Sequence, residues 1–394
     1  MEALQNMPAR GAPNLVVLDE FPYLLGHSPE LPSLLQREID RSRDGGSPLR
    51  LVLCGSALSV MATMLTGTQA LRGRAVLDVV VRTFDYRTSA AFWKIEQPDA
   101  AFGVHAVLGG TPGYRDLLPA RPPQRAGDLA RWLAEGPLNP ASALFREDDY
   151  LLTEERVLSD RALYHSVVAA IATGQRSQSG IASALGREAR AVQHPLMALE
   201  EAGFVARMDD ALRERRPIYR IADPIVRFHH VVTRPDLARF EERRTEAAWT
   251  DAQPRFRARV LGPHFEELAR EFTFRWAAPA TVGGEAASVA PAVINDAAAR
   301  SQFEVDVVAL GRQPDGSSAI LALGEAKHTA ERRTPADLSR LERIRDLLQT
   351  RHSSAATAKL LVFSASGFDR ALTAAAAKRP EVELIDMERL YRGE

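Results

Sequence analysis

Near the C-terminus two apolar segments, 303–310 and 319–326, flank a turn at Gln313-Pro314-Asp315-Gly316. Proline followed closely by glycine reverses a chain, so the two segments are expected as adjacent strands. Asp306 sits inside the first, and Glu325-Ala326-Lys327 ends the second. Alternate side chains of a strand point the same way, so Glu325 and Lys327 share a face. The hairpin can bring Asp306 beside them. Two carboxylates so placed can bind Mg²⁺, and a lysine can steer the hydroxide or the phosphate. Around this pair lie helices expected at 263–272 and 335–349, a strand at 359–364, an alanine-rich helix near 369–378 and a strand at 382–385. The Ala/Gly-rich stretch 277–300 is expected to be poorly ordered.

The opening 120 residues alternate strand and helix, which argues an α/β fold with parallel strands. Leu15–Leu18 reads as a strand buried on both faces. It ends in Asp19-Glu20, the pattern of a Walker B strand. There one carboxylate holds the water shell of Mg²⁺ and the second orients the attacking water. Leu31, Leu34, Leu35 and Ile39 recur at helical spacing. Arg50–Cys54 is expected as a second buried strand, ending at Gly55-Ser56. Ala57–Leu65 is expected as a helix and Ala75–Val81 as a third strand. Cys54, the single cysteine, reads as an inert apolar residue.

The middle has a different rhythm. Helices are expected over 159–173, 178–185 and 187–202, then two strands, 204–208 and 217–221, joined by the charged hairpin DDALRERR. Three helices and a hairpin are the layout of a winged helix-turn-helix. Arg187, Arg190, Gln193 and His194 are its candidate DNA-contacting residues, with Arg213, Arg215 and Arg216 in the wing. Pro195 must sit in the first turn of its helix or kink it. Residues 154–234 hold 12 arginines against 10 acids, a slight excess. A module that packs between domains is therefore an equal expectation. His229-His230 read as packing residues of the helix that closes this module.

Taken in order, LVVLDEFPYLL, LVLCGSALSVM, LRGRA and GGTPGYRDLL resemble the archaeal-type ATPases of the STAND branch of AAA+ proteins. The resemblance implies three units. Residues 1–125 would be a partial P-loop ATPase core, and 126–235 lid helices with the winged helix. Residues 236–394 would be a restriction-endonuclease-like α/β domain of the PD-(D/E)xK type. It further implies ATP and Mg²⁺ at Asp19 and Glu20, with Ser56 as a sensor of the γ-phosphate. In the tail it implies a catalytic set of Asp306, Glu325 and Lys327, with Mg²⁺ on Asp306 and Glu325. Glu266 would match the acid on the preceding helix, with Glu267 the alternative.

One departure stands out. A P-loop needs Gly-Lys-Ser/Thr. The chain has four lysines, Lys94, Lys327, Lys359 and Lys378, and none follows a glycine. The chain thus resembles a family member without the first half of its core, and no ATP hydrolysis is expected of it alone. Deleting a central strand would leave a poorly covered sheet, so self-association or a protein partner is expected there. The remaining expectation is a DNA-associated regulatory or effector protein. A Mg²⁺-dependent nuclease and a non-catalytic DNA-binding regulator are the alternatives.

Composition narrows the rest. Hydrophobic residues make up 45% and charged residues 26%, an ordinary globular balance. The net charge of −1 gives no global attraction to nucleic acid or an anionic membrane. From Asp236 onward 23 basic residues face 24 acidic ones, which does not favour tight duplex binding. No apolar run reaches membrane-spanning length and no signal peptide is evident, so a cytoplasmic protein without membrane contact is expected.

Overall fold

The computed structural model describes residues 14–45, 49–56, 58–119, 121–154, 160–296 and 299–394. The architecture is mixed α/β, with one parallel two-stranded sheet, one antiparallel hairpin and one mixed five-stranded sheet.

The N-terminal layer pairs β1 (Asn14–Leu18) with β2 (Leu49–Leu53) in parallel. Helices α1 (Phe21–His27), α2 (Leu31–Gly45) and α3 (Leu58–Met64) accompany them. Phe21, Leu35, Met64 and Leu71 form a small core against one face of this pair. The other face is bare, with Leu15 at 64%, Val17 at 53% and Val52 at 42% exposure. The expectation of strands buried on both faces is corrected here: each is covered on one side only. Ala75–Val81 is corrected too, for it forms no strand. Among the described residues it has no ladder partner, and Val76, Leu77, Val79, Val80 and Val81 all face solvent. Its β-propensity is real, but a strand exists only where a neighbouring strand accepts its hydrogen bonds.

Beyond residue 82 the packing changes. Helices α4 (Tyr86–Trp93), α5 (Pro98–Leu108), α6 (Leu129–Glu135) and α7 (Glu147–Glu154) form a bundle. Asp85 caps α4, accepting from the Arg87 and Thr88 backbone N–H groups at 3.0 and 2.9 Å. After α5 the chain turns at Gly109-Gly110. Phe84 N donates to Gly110 O at 2.9 Å, and a side chain on Gly110 would collide with the Phe84 backbone. That close approach explains the glycine.

Next come α8 (Arg161–Ala172), α9 (Gln178–Ala184), α10 (Gln193–Glu201) and the antiparallel hairpin of β3 (Val205–Asp210) with β4 (Arg213–Ile221). The order of three helices and a hairpin is as the sequence suggested. Pro195 occupies the first turn of α10, where its missing N–H costs nothing. Helix α11 (Pro224–Phe228) runs directly into a π-helical turn, His229–Thr233.

The remaining helices before the large sheet are α12 (Leu237–Glu241), α13 (Thr245–Phe256), α14 (Gly262–Arg275) and α15 (Pro279–Val282). The sheet runs β5 (Ser288–Asp296), β6 (Ser301–Arg312), β7 (Ser318–Lys327), β8 (Lys359–Ser364) and β9 (Val382–Asp386). The stretch expected to lack order thus contains α15 and β5. The ladders β5–β6–β7 are antiparallel and β7–β8–β9 parallel. Helices α16 (Pro335–Gln349) and α17 (Arg370–Ala376) make the two parallel crossovers and cover one face. Helix α14 and the last helix, α18 (Met387–Arg392), cover the other.

One continuous core runs from Tyr86 to Tyr391. It includes residues from both sides of 125 and of 235. Arginine and tyrosine fasten its ends: Tyr86 OH donates to Leu390 O at 2.8 Å, and Arg87 reaches Leu390 O and Gly393 O at 2.7 and 2.8 Å. Among the described residues no helix is long and apolar enough to cross a membrane.

Candidate functional site

Strand β7 lies at the centre of the large sheet, antiparallel to β6 and parallel to β8. The β6–β7 ladder pairs Val307 with Gly324. Just beyond that pair the Asp306 carboxylate takes over a ladder role, for Ala326 N donates to its Oδ2 at 2.9 Å. Lys327 Nζ lies 3.5 Å from Asp306 Oδ2 and 2.9 Å from Glu325 Oε1. Both acids are buried, while the lysine side chain is 37% exposed. Burial works against the lysine charge, but Asp306 and Glu325 outweigh it and hold the ammonium above its ordinary value.

Helix α14 packs across the same strands and delivers Glu266. Burial, reinforced by the neighbouring Asp306, raises the Glu266 carboxyl from 4.5 to about 7 against the pull of Arg270, Arg176 and Lys327. Glu267, one residue on, points elsewhere. Its Oε1 accepts from Arg227 at 2.8 Å and Arg220 at 3.1 Å. Those arginines outweigh the cost of burial and keep Glu267 well below the usual carboxylate range. The same cluster includes His264, whose Nε2 is 2.9 Å from His105 Nδ1. Glu267 therefore ties α14 to β4 and α11, and Glu266 is left to face the sheet.

Two arginines complete the site, and nothing in the strand pattern announced them. Arg340 on α16 donates to Glu325 Oε2 at 3.0 Å. Arg270 on α14 donates to Asp306 O at 2.9 Å. Oxygen-rich and acidic, the set Glu266, Asp306 and Glu325 suits a hard divalent cation such as Mg²⁺. The Lys327 ammonium now bridges Asp306 and Glu325, so an ion held by both requires that half-exposed side chain to swing aside.

At the N-terminal layer Asp19, Glu20 and Ser56 also come together. Ser56 Oγ donates to Glu20 Oε2 at 3.2 Å, and Glu20 N to Asp19 Oδ1 at 3.0 Å. All three are exposed, and Glu20 adopts a left-handed backbone, φ 47°. Gly55 is required beside them because a side chain there would strike Pro22.

Around α10, Arg187, Arg190, Gln193 and His194 are all exposed. The hairpin is less open. Its tip docks on the large sheet, with Ala211 N donating to Pro291 O at 2.9 Å and Val293 N to Asp210 Oδ2 at 2.8 Å. Arg213 sits half-buried at this docked tip. The side chains of Arg215 and Arg216 lie outside the described residues.

No family model matches the chain. A curated protein of Methanocaldococcus jannaschii, described as the uncharacterized protein MJECL04, is 24% identical over 264 residues, or 66% of this chain. The chain spans 57% of that relative's length. Among solved structures, the Walker-type ATPase PABY2304 of Pyrococcus abyssi is similar at a TM-score of 0.41 and 22% identity. That likeness covers 55% of this chain and 62% of the other.

Proposed function

We propose that this chain is an ATPase-family relative whose remaining chemistry lies in its C-terminal sheet, where it acts as a Mg²⁺-dependent nuclease on DNA. The observation that carries the reading is the convergence of Glu266, Asp306, Glu325 and Lys327 from one helix and two strands. These are the residue types that metal-assisted phosphodiester hydrolysis uses. Acidic oxygens hold the cation, which when bound would polarise the phosphate and lower the pKa of a bound water. Lys327, freed from its two carboxylates, would pair with the phosphate charge. Glu266, poised near neutrality, can accept a proton from an attacking water. The exposed Arg187, Arg190, Gln193 and His194 of a winged helix would hold the duplex, whereas the hairpin serves to dock the module on the sheet. No lysine of the sequence follows a glycine, and the Asp19–Glu20–Ser56 corner is read as vestigial. The bare face of β1 and β2 is read as a face for self-association.

The test is cleavage of supercoiled plasmid by the full chain with Mg²⁺ or Mn²⁺. Slow nicking is expected, abolished in Lys327→Ala and Asp306→Asn. Cleavage unchanged by either substitution defeats the reading. A second reading has its own observation: Glu325 is already neutralised by Lys327 and Arg340. A purely regulatory DNA-binding protein would bind duplex with no nicking, and lose binding in Arg187→Ala/Arg190→Ala.

A further inference from the structure

Far from that site, three helical elements bring a second group of titratable side chains together. Asp148 lies in the first turn of α7, His165 near the middle of α8, and His230 in the π-helical turn after α11. One ligand atom from each of the three lies within 4.8 Å of the other two. The side chains of Asp148 and His230 are fully buried, and that of His165 is 18% exposed. The His165 and His230 rings stack with centroids 5.8 Å apart.

Polar groups in this cluster are left without partners. Among the described residues, neither Asp148 oxygen and neither His230 nitrogen has a hydrogen bond. His229 Nδ1 is 3.0 Å from Asp148 Oδ1 and His230 Nε2 3.7 Å from Asp148 Oδ2, with no hydrogen bond at either oxygen. A buried carboxylate with no aligned donor costs several kcal/mol unless a charge meets it. Here the carboxylate lies among the imidazoles of His165, His229 and His230, the donor types that bind a cation. Irregular π turns such as the one that carries His229 and His230 occur often at functional sites.

We propose that Asp148, His165 and His230 form a binding site for a divalent transition metal of the zinc class. Two imidazole nitrogens with one carboxylate are a usual three-residue zinc set, and the two nitrogens discriminate against Mg²⁺ and Ca²⁺. His229 is the nearest further donor.

Arg234 opposes the ion. Its Nη1 donates to His165 Nδ1 at 3.0 Å, which leaves the His165 proton on Nε2, the nitrogen that faces Asp149. For Nε2 to ligate, the proton must move to Nδ1 and the exposed Arg234 must let go. The partly open His165 side is also the entry path. Once bound, the ion would join α7, α8 and the α11 turn, and so staple the helical bundle to the three-helix module.

The test uses the full chain stripped with chelator, then titrated with ZnCl₂ or CoCl₂ alone. We expect one equivalent to bind, a zinc-dependent rise in Tm, and visible d–d absorption from the cobalt form. Asp148→Asn keeps the shape and removes the unpaired charge, so it should fold at least as well as the wild type. It should lose about 100-fold or more in affinity, past the 10–100-fold typical of outer-sphere partners. Arg234→Gln should bind more tightly than the wild type. No binding by the wild type, or equal binding by Asp148→Asn, overturns the site. Because neither substitution touches Asp306, Glu325 or Lys327, plasmid nicking separates this result from the nuclease reading.

Discussion

Among the described residues two sheets contain parallel strands, and they differ in what covers them. Between β7, β8 and β9 the parallel ladders have helices on both faces, and Leu360, Leu361, Val362 and Phe363 are all at or below 1% exposure. Between β1 and β2 the ladder is as regular, yet one face stays open to water. Parallel pairs are stable when both faces are buried. A regular ladder is therefore no guide to how much a region contributes to stability; the layer on its far side is. The same rule explains Ala75–Val81. It has as apolar a sequence as β8, but among the described residues no strand pairs with it and its apolar side chains face solvent.

The largest difference should appear on truncating a core side chain. Phe363 on β8 is fully buried and meets Phe272 of α14 with ring centroids 6.1 Å apart. Phe363→Ala should destabilise the main core by about 3–5 kcal/mol, read from urea denaturation by tryptophan fluorescence. The equivalent change on the bare face, Val17→Ala, should cost well under about 1 kcal/mol. Equal costs would mean that the N-terminal face is covered in solution.

Next in size is a pH effect at the candidate site, measured without metal. Glu266 faces Asp306, Arg270, Arg176 and Lys327. Its carboxyl titrates at about 7 when folded, against 4.5 for a free glutamate. Between those values the folded chain keeps a proton that the unfolded chain has released. Stability therefore falls as pH rises through the window and is level above it. Glu266→Gln should remove that slope. Relative to the wild type it should gain about 3 kcal/mol by pH 8. A parallel pH profile for the two proteins would show that Glu266 is not held in its neutral form.

The closeness of Asp306, Glu325 and Lys327 was legible in the sequence because two short-range rules act on it. Strand alternation puts Glu325 and Lys327 on one face, and the Pro-Asp-Gly turn brings β6 alongside. Choosing between Glu266 and Glu267 was harder from sequence, since neighbouring helix positions differ by about 100° of rotation and only the distant Arg220 and Arg227 decide it. The Asp148–His165–His230 cluster left no signal at all, for its members lie on three elements with no common spacing. Ala75–Val81 misled because propensity is local while strand pairing is not. The grip of Tyr86 on Leu390 of the last helix is equally beyond local rules, for it joins residues 304 positions apart.

The smallest stability effect is expected where exposed apolar surface is greatest. Val76 and Val81 are 98% and 90% exposed, so they bury almost nothing on folding of this chain alone. Replacing both with serine should change stability by less than about 0.5 kcal/mol. The effect should appear instead in association, because five exposed apolar side chains within the six residues 76–81 invite another chain. Sedimentation velocity should show concentration-dependent self-association of the wild type that weakens in Val76→Ser/Val81→Ser. Limited proteolysis supplies the complementary reading. Cleavage should fall first between 75 and 85, degrade the N-terminal layer, and leave a resistant fragment beginning near Tyr86, where the continuous core starts. A loss of more than about 1 kcal/mol in the double variant, or a resistant N-terminal layer, would mean that the segment is packed. The contrast between the covered and the bare sheet would then not hold in solution.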